Sequence, residues 1–435
     1  MRSIRDQRGV AFPLALFALV LLTGMLLVFL TMGGMETSVA ANLDDVTRAR
    51  YVAESGLEWA FDQLVSAAAL PNGWNTVLST NGGQMATGMP LPSLAAAFGT
   101  FSVTVRNDNL ANDNVLTGLP LCPNSAPLCS PDGGGATNDT NRVVILTALG
   151  TYNGATRQLQ QVVSHPDLTL PGGLNLPGLG TNTSFSGNAF TISGNDTNLD
   201  DSAGAGIPGL CAPTVWGVGT ANASIESDVQ ASLSNAQKDN VTGKAQNPGP
   251  GIGDNTITPD PTLTPAQIQK FVDALRPYAD ISLQASGMGQ LSYQNVGATC
   301  AANLNDPNCW GTASNPKIVY VKGTVDPAQA FYAMSISGTS TGAGILILED
   351  GDLNVTGDFR WEGLIIVTGQ YVGLRYGGGG NQTMYGGMIV NETASVNSEV
   401  EVDAMGNAKI LYSCQAIENA RNMRRLFRAN SWREL

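Results

Sequence analysis

The sequence has a single histidine, His165, and charged residues make up only 13% of the chain. A hydrolytic triad needs a histidine beside a nucleophile and an orienting acid, and His165 ends a strand candidate without either. A zinc site needs closely spaced cysteines or histidines, and the chain has neither a CxxC pair nor a second histidine. The sequence therefore gives no sign of a histidine-based hydrolase or of a structural zinc site.

Basic residues are also scarce, with 22 Lys and Arg against 35 Asp and Glu, which gives a net charge of −13. Nucleic-acid binding depends on basic patches, so we expect no nucleic-acid partner. DNA uptake through a small local basic patch stays open as an alternative. Glycine is abundant, at 51 residues, and this favours a turn-rich extracellular β protein.

Charge is entirely absent from Val10 to Met35, a run preceded by Arg2, Arg5 and Arg8. As a helix it would be about 39 Å long, enough to cross a bilayer. A buried core helix would alternate its faces, and a secretory signal peptide would be shorter and end at a small-x-small site. We therefore predict a single membrane-crossing helix with a cytoplasmic N-terminus.

Helical spacing of apolar residues continues from Val39 to Leu64. This spacing predicts one long helix, which is apolar all round at first and amphipathic later. Gly33 and Gly34 weaken the helix between the two parts, since an interior glycine costs about 1 kcal/mol relative to alanine.

Two segments of this helix carry a family resemblance. QRG/VAFPLALFALVLLTG, with cleavage expected between Gly9 and Val10, resembles the class III leader of prepilins. YVAESGLEWA is similar to the (A/Y)xAExGLExA signature of PilX-type minor pilins of type IV pili and of K-type pseudopilins of type II secretion. The resemblance covers only about the first 65 residues, so it concerns delivery and assembly rather than what the outer part binds.

The resemblance implies assembly roles for Leu14, Glu54 and Gly56. Major pilins of the family carry Glu at the fifth mature position, where this chain has Leu14, and this departure resembles initiating or tip subunits. The implied partners are a prepilin peptidase, an inner-membrane assembly platform, other minor and major pilins, and a tip adhesin. The implied location is the bacterial inner membrane before assembly and the pilus at the cell surface afterwards.

The six cysteines fit an oxidising compartment. Cys122 and Cys129 flank one short turn-rich loop, and Cys300 and Cys309 flank another, which leaves Cys211 and Cys414 as the third expected pair. Six cysteines allow fifteen connectivities, and the sequence does not choose among them.

Three strand candidates follow the helix, at Phe101–Arg106, Arg142–Leu149 and Arg157–Ser164. They predict a small antiparallel, pilin-like sheet packed on the second half of the helix. The loops between the candidates are rich in oxygen ligands, and Asp108, Asp113 and Asp139, together with Asp132, are weak calcium candidates. The same residues are typical of solvated hairpin turns, and no other cofactor is expected.

Short apolar strands punctuated by Gly, Asn and Asp follow a Pro- and Gly-rich stretch at 166–180. The ILIL, LIIV and MIV runs recur about every 20 residues, the spacing of coils in a parallel β-helix. An antiparallel meander is the alternative. Within this region TPAQIQKFVDALRPYADI predicts a helix that begins at a Thr-Pro cap.

We do not expect this protein to be an enzyme. Some β-helix proteins use paired carboxylates on polysaccharides, which draws attention to Asp350, Asp352 and Asp358, but aspartate is also a common corner residue. Tyr371, Tyr376 and Tyr385 are candidates for a sugar-binding face or for internal packing.

The predicted fold class is α+β: a long N-terminal helix, a small antiparallel sheet, and a mainly β domain forming a parallel β-helix. The expected segments are a leader (1–9), the long helix (10–70), a β head (71–165), a linker (166–180), a solenoid-like domain (181–414) with a helical insertion near 262–280, and a basic amphipathic C-terminal helix (415–435). We expect that last helix to lie on the acidic body of the same chain or to dock to another pilin or adhesin.

Overall fold

A computed structural model of the chain describes residues 11–68, 73–91, 96–111, 113, 132–165, 168–180, 182–200, 207–209, 214–245, 256–285, 290–325, 333–394 and 400–435. These residues form two compact units. The first, here called the head, contains the chain up to Leu64, Trp74–Val163 and Ala429–Leu435. The second, here called the solenoid, contains Ser164–Arg428 together with Val65–Gly73.

The described helices are α1 (Ala11–Ala68), α2 (Gly73–Ser79), α3 (Ala223–Ser232), α4 (Asn235–Lys238), α5 (Pro265–Leu275) and α6 (Cys414–Arg421). The described strands are β1 (Gln84–Pro90), β2 (Thr100–Asn107), β3 (Val143–Tyr152), β4 (Ala155–Ser164), β5 (Gly172–Leu176), β6 (Thr183–Ser186), β7 (Thr191–Ser193), β8 (Trp216–Thr220), β9 (Val241–Thr242), β10 (Ile257–Pro259), β11 (Ile281–Gln284), β12 (Leu291–Gln294), β13 (Lys317–Lys322), β14 (Met334–Ser337), β15 (Thr339–Glu349), β16 (Leu353–Val355), β17 (Asp358–Gly369), β18 (Leu374–Tyr376), β19 (Gln382–Glu392), β20 (Val402–Met405), β21 (Lys409–Tyr412) and β22 (Arg428–Glu434). The predicted α+β class is confirmed.

The head is a five-stranded sheet in the order β1-β2-β3-β4-β22, with antiparallel β1–β2 and β2–β3 pairs. The three strand candidates of the sequence correspond to β2, β3 and β4. The tight turn between β3 and β4 is Asn153-Gly154, and both residues have positive φ. Such an Asn-Gly turn matches the twist of a two-residue hairpin.

The solenoid consists of coils stacked by parallel pairing. Its two sheets run in the orders β10-β8-β5-β19-β17-β15-β13-β11 and β12-β14-β16-β18-β20-β6, and the second half of β15 pairs in register with β13 and β17. The ILIL, LIIV and MIV runs occupy equivalent positions on β15, β17 and β19. The domain is therefore mainly β with parallel sheets, and its strand pairing is not that of an antiparallel meander.

The apolar runs are continuous because both of their faces are buried. Leu346, Ile365 and Met388 belong to the core inside the coils. Their neighbours Ile345, Leu364 and Ile389 point outwards into a second core cluster, which also contains side chains of α5 and α6. Strands buried on both faces lose the alternation of a half-exposed strand.

Helix α5 begins as the sequence predicts. Thr264 is its N-cap, Pro265 opens the helix, and Gln267 completes a reciprocal capping box. These contacts satisfy N–H groups that lack an intrahelical partner. The buried residues of α5 are Ile268, Phe271, Val272 and Leu275.

A glycine row allows the coils to turn a corner. Gly344, Gly363 and Gly386 pair with one another in successive coils and all have positive φ. A Cβ on Gly363 would lie 2.0 Å from the Gly344 carbonyl oxygen, and one on Gly386 would lie 1.8 Å from that of Gly363. Only glycine tolerates both this φ and this approach.

Two sequence expectations about segment boundaries are wrong. The expected linker at 166–180 contains β5, which pairs with β8 and β19 and is buried throughout. The expected C-terminal helix at 415–435 is α-helical only to Arg421; a short 3-10 turn at Arg424–Leu426 follows, and β22 then joins the head sheet beside β4. In both cases tertiary pairing overrides the local pattern, since Pro and Gly in 166–180 suggest a linker and apolar spacing in the tail suggests a helix.

Candidate functional site

From Ala11 to Met35, α1 exposes apolar and small polar side chains without a charged residue. Every residue from Ala11 to Leu43 is exposed, including Leu14 at 67%, and α1 is long and apolar enough to cross a membrane, with a mean hydropathy of 2.7 over its most apolar window. A soluble monomer rarely exposes so large an apolar area, so this surface is suited to lipid or to apolar helices of partner subunits. The expected cleavage point, Gly9–Val10, lies outside the described residues.

The second half of α1 packs on the head sheet through very small residues. A Cβ on Gly56 would lie 3.0 Å from Phe101 Cδ2, and one on Gly150 of β3 would lie 2.4 Å from the Ala53 backbone nitrogen. Close contact between helix and sheet therefore requires glycine on each side. Glu54, by contrast, forms an exposed ion pair with Arg50 at 3.1 Å on the same helix, and such pairs contribute little to stability.

The acidic loops of the head bring Asp108, Asp132 and Asp139 near one another. Burial raises the pKa of Asp108 to about 7 and that of Asp139 to about 6, and the charge of Asp132 acts in the same direction on both. Among the described residues, Asp108 Oδ1 and Asp139 Oδ2 have no hydrogen-bond partner. Donors surround Asp132 instead, among them Asn107 Nδ2 at 2.9 Å.

The calcium candidates are only partly brought together. Asp113 instead forms a bidentate salt bridge with Arg106, whose two terminal nitrogens donate to its carboxylate oxygens at 2.8 and 2.7 Å. In the part of the chain that the structure describes, no three acidic, histidine or cysteine side chains form a group suited to a metal ion. Calcium therefore stays a prediction for Asp108 and Asp139.

The carboxylates considered for catalysis have separate surroundings. Asp350 forms an ion pair with Lys322, and Asp352 is buried. Asp358 is exposed at the start of β17, where its Oδ1 accepts the Asn381 N–H at 2.9 Å. Along the chain, Asp350 precedes the short strand β16 and Asp358 follows it.

A groove of about 320 Å³ lies on the outer surface of the solenoid, over the first halves of β15, β17 and β19 and the start of β21. One row of its lining residues is in register across four strands: Thr341, Arg360, Thr383 and Lys409. Two residues earlier on the same two strands, Thr339 pairs with Asp358. Polar and charged side chains thus follow one another along the stacking direction.

Arg360 is held in a fixed position within this groove. Its guanidinium contacts Glu362 at 2.8 Å, donates to the Leu199 carbonyl at 2.9 Å, and stacks over the Tyr385 ring at 4.3 Å. Tyr376 and Tyr385 are fully buried, so these two tyrosines pack inside the domain rather than forming an exposed sugar-binding face.

Sequence reasoning missed Arg360 and Lys409 because isolated charges on strands carry no motif. A usable signal was present nonetheless. Aligning the chain on Gly344, Gly363 and Gly386 places Thr341, Arg360 and Thr383 at one coil position, each three residues before its glycine.

A disulfide joins Cys300 and Cys309, across the short loop where the sequence led us to expect one. Cys414 is also disulfide-bonded, and its partner lies outside the described residues. Cys122, Cys129 and Cys211 likewise fall outside them.

The basic residues of the tail make contacts within the chain. Arg425 pairs with Asp280, Arg421 donates to the Leu168 carbonyl, and Arg433 donates to Gln160. His165 Nε2 lies 2.6 Å from the Arg421 carbonyl oxygen, and the ring packs on Phe427. These contacts give His165 and the arginines structural roles.

No protein-family model and no curated protein matches this chain. Among solved structures, the competence-associated pilin ComZ from Thermus thermophilus aligns with 90% of this chain and 97% of its own. The identity is 12% and the TM-score is 0.23, values too low to carry an argument about fold or function.

Proposed function

We propose that this protein is a minor pilin that takes part in type IV pilus assembly, in the initiating or tip complex. The observation that carries the proposal is α1. From Ala11 to Met35 it exposes only apolar and small polar side chains, and the same helix then packs on an antiparallel sheet through Gly56. A helix of this kind suits a subunit that is held in the membrane and then moves into a helical filament core.

Leu14 supports a position near the tip. A carboxylate inside an apolar environment is costly unless it is paired, and Leu14 offers no such pairing to the amine of a neighbouring subunit. A subunit with no neighbour above it does not need the carboxylate. The β-rich solenoid would then be presented for adhesion or surface contact, in a structural rather than catalytic role.

N-terminal sequencing of the mature protein tests the delivery step. We expect a start at Val10 in cells with a prepilin peptidase, and a start at Met1 in the Gly9→Leu variant or in cells without the peptidase. A mature start at Met1 in normal cells, or far downstream of Val10, would overturn the proposal.

The closest alternative is a K-type pseudopilin of type II secretion, because the AESGLE segment and the missing carboxylate suit it equally. Gene deletion separates the two. Loss of piliation or twitching with normal secretion supports the pilus, whereas exoenzymes retained in the periplasm of a piliated strain favour the secretion system. Immunogold label spread evenly along filament shafts would reject the tip position.

A further inference from the structure

The second sheet of the solenoid has one open end. Its strands run in the order β12-β14-β16-β18-β20-β6, and among the described strands β12 pairs only with β14. The inward-facing residues of β12, Leu291 and Tyr293, are half-buried, whereas those of β14, Met334 and Ile336, are fully buried. The core at β12 therefore lacks the cover that one more strand would supply.

In the part of the chain that the structure describes, the outer edge of the β12 backbone is also unpaired. The Leu291 N–H donates to the Ala333 carbonyl at 3.0 Å, and the Asn295 N–H also donates towards β14, at 3.3 Å. Alternate residues of a strand direct their polar backbone groups to opposite sides. Ser292 and Gln294 therefore direct their N–H and C=O groups to the open edge.

This edge carries none of the usual protection against strand pairing. Edge strands are normally blunted by charged residues, by proline or by a bulge. No charged residue and no proline occurs from Ile281 to Asn305, a stretch that contains all of β12, and the pairing of β12 with β14 is regular. The chain has a net charge of −13. A second copy therefore meets less repulsion at this uncharged end than on an average part of the surface.

The sequence of β12 is complementary to itself. In an antiparallel pair of two β12 strands centred on Ser292, the two Ser292 residues lie opposite each other, and Leu291 of each copy lies opposite Tyr293 of the other. Opposite residues share one face of a sheet, so inward-facing residues meet inward-facing residues and the exposed serines meet each other. The same register joins the open N–H and C=O groups of the two Ser292 residues as a hydrogen-bonded pair.

The other end of the same sheet is closed by α3. This helix packs against β6, the last strand of the sheet, and its Ile225 and Val229 belong to the core inside the coils. The Asp228 carboxylate of α3 accepts the Thr183 N–H of β6 at 3.0 Å. Head-to-tail stacking of copies would need that covered edge, so a symmetric, closed pairing of two open ends is favoured.

We propose that two copies of this chain bind each other through β12, by antiparallel pairing centred on Ser292. The two sheets then continue into one another across a twofold axis, and a third copy cannot add at the same edge. This inference goes beyond pilus assembly and does not depend on it, because it concerns only the solenoid.

The test uses the full-length protein in detergent micelles with one added cysteine. Directly opposite residues of an antiparallel pair have Cβ atoms about 5.5 Å apart, so a short bifunctional maleimide should join two Ser292→Cys chains. We expect a cross-linked product of twice the chain mass at micromolar protein concentrations. The unmodified protein, treated in the same way, controls for the native cysteines.

Ser335→Cys is the matched control, because Ser335 pairs with Ser292 and lies one strand further in. In the proposed dimer the two copies of residue 335 are three strand spacings apart, about 14 Å, which is too far for the same reagent. Labelling with a monofunctional maleimide checks that both added cysteines react.

A charge at the edge tests the same contact without a cross-linker. Ser292→Lys would place two ammonium groups opposite each other, and like charges on directly opposite residues are unfavourable. We expect light scattering to give the protein mass of a dimer for the unmodified chain and for Ser292→Thr, and half that mass for Ser292→Lys. Ser292 is exposed, so neither substitution disturbs the core.

Each of the other outcomes overturns the proposal: no cross-link at residue 292, an equal yield at residue 335, or the same mass for the Lys and Thr variants. Association through α1 alone would give the last of these results, because the substitution lies in the solenoid. In intact cells, a cross-link from residue 292 to a different protein without any dimer would assign the edge to that partner and overturn the proposal. A negative result would leave N-terminal sequencing unaffected, so failure of this inference is distinguishable from failure of the assembly proposal.

Discussion

Gly56 of the long helix lies directly against the ring of Phe101 on β2, and a Cβ at residue 56 would be only 3.0 Å from Phe101 Cδ2. Trp59, one turn later, packs on the same ring with centroids 5.7 Å apart. The glycine of the AESGLE segment therefore has a physical reason within this chain. It lets the helix backbone approach the sheet closely enough to bury Phe101.

The close approach on the sheet side predicts that Gly150→Ala destabilises the head. The new methyl group would meet the Ala49 carbonyl oxygen at 2.1 Å, and neither backbone can move without separating α1 from β3. We expect a loss of about 1–3 kcal/mol in the free energy of unfolding, measured by denaturant titration. Gly133→Ala is the control, because nothing lies within 4 Å of its added Cβ. Equal stability of the two variants would contradict the prediction.

The corner glycines predict a similar effect in the solenoid. Gly363→Ala would place a methyl group 2.0 Å from the Gly344 carbonyl oxygen, at a φ that alanine rarely adopts. We expect a loss of several kcal/mol, or failure to fold, followed by the fluorescence of the buried Trp361. Gly379→Ala, which has open space around it, should leave the unfolding midpoint unchanged. An unchanged unfolding midpoint for Gly363→Ala would contradict the prediction, because it would show that the backbone around residue 363 adjusts to the methyl group.

The disulfide between Cys300 and Cys309 closes a short loop beside the buried Trp310. Replacing both cysteines with serine should lower the free energy of unfolding of the solenoid by about 2–3 kcal/mol, chiefly because the unfolded chain becomes less restricted. Substitution is preferable to a reductant, since Cys414 is disulfide-bonded as well. An unchanged denaturant midpoint would argue against this contribution.

The buried aspartates predict that the head becomes less stable as pH rises. The pKa of Asp108 is about 7 and that of Asp139 about 6 in the folded state, above the ordinary value of 3.8. Between about pH 4 and pH 7 the folded head therefore keeps protons that the unfolded chain has released. Its free energy of unfolding must fall across this window.

Asp108→Asn isolates this effect, because Asn141 can still donate to the oxygen that replaces Asp108 Oδ2. Relative to the unmodified protein, the variant should gain stability between pH 4 and pH 8, and each pKa unit corresponds to about 1.4 kcal/mol. Glu58→Gln, which removes one carboxylate at an exposed position on α1, is the matched control. A pH-independent difference for Asp108→Asn would refute the prediction. Added Ca²⁺ that removes the pH dependence would support a cation at Asp108 and Asp139.

Local patterns predicted the elements that depend on few distant contacts. The absence of charge from Val10 to Met35, followed by helical spacing, anticipated a helix that runs from Ala11 to Ala68. Thr264 and Pro265 anticipated the start of α5. The recurring apolar runs anticipated the stacked coils, because each coil must repeat the same buried positions.

Elements defined by distant pairing escaped prediction. The central residues of 166–180 look like linker residues, and only their neighbours β8 and β19 make them a strand. Residues 428–434 carry charge and little periodicity, and only the open side of β4 makes them a strand. The groove was missed for a related reason, since Arg360, Thr383 and Lys409 form one row only after the coils are stacked in register.

The position of β22 has a consequence for biogenesis. The head takes its fifth strand from residues 428–434, so all of the solenoid except Val65–Gly73 is inserted, in sequence terms, between the fourth and fifth strands of the head. A chain interrupted anywhere before residue 428 leaves the edge of β4 unpaired, and an unpaired strand edge promotes aggregation. Completion of the head sheet thus depends on synthesis of the chain having passed through the entire solenoid, so a truncated chain cannot complete the head.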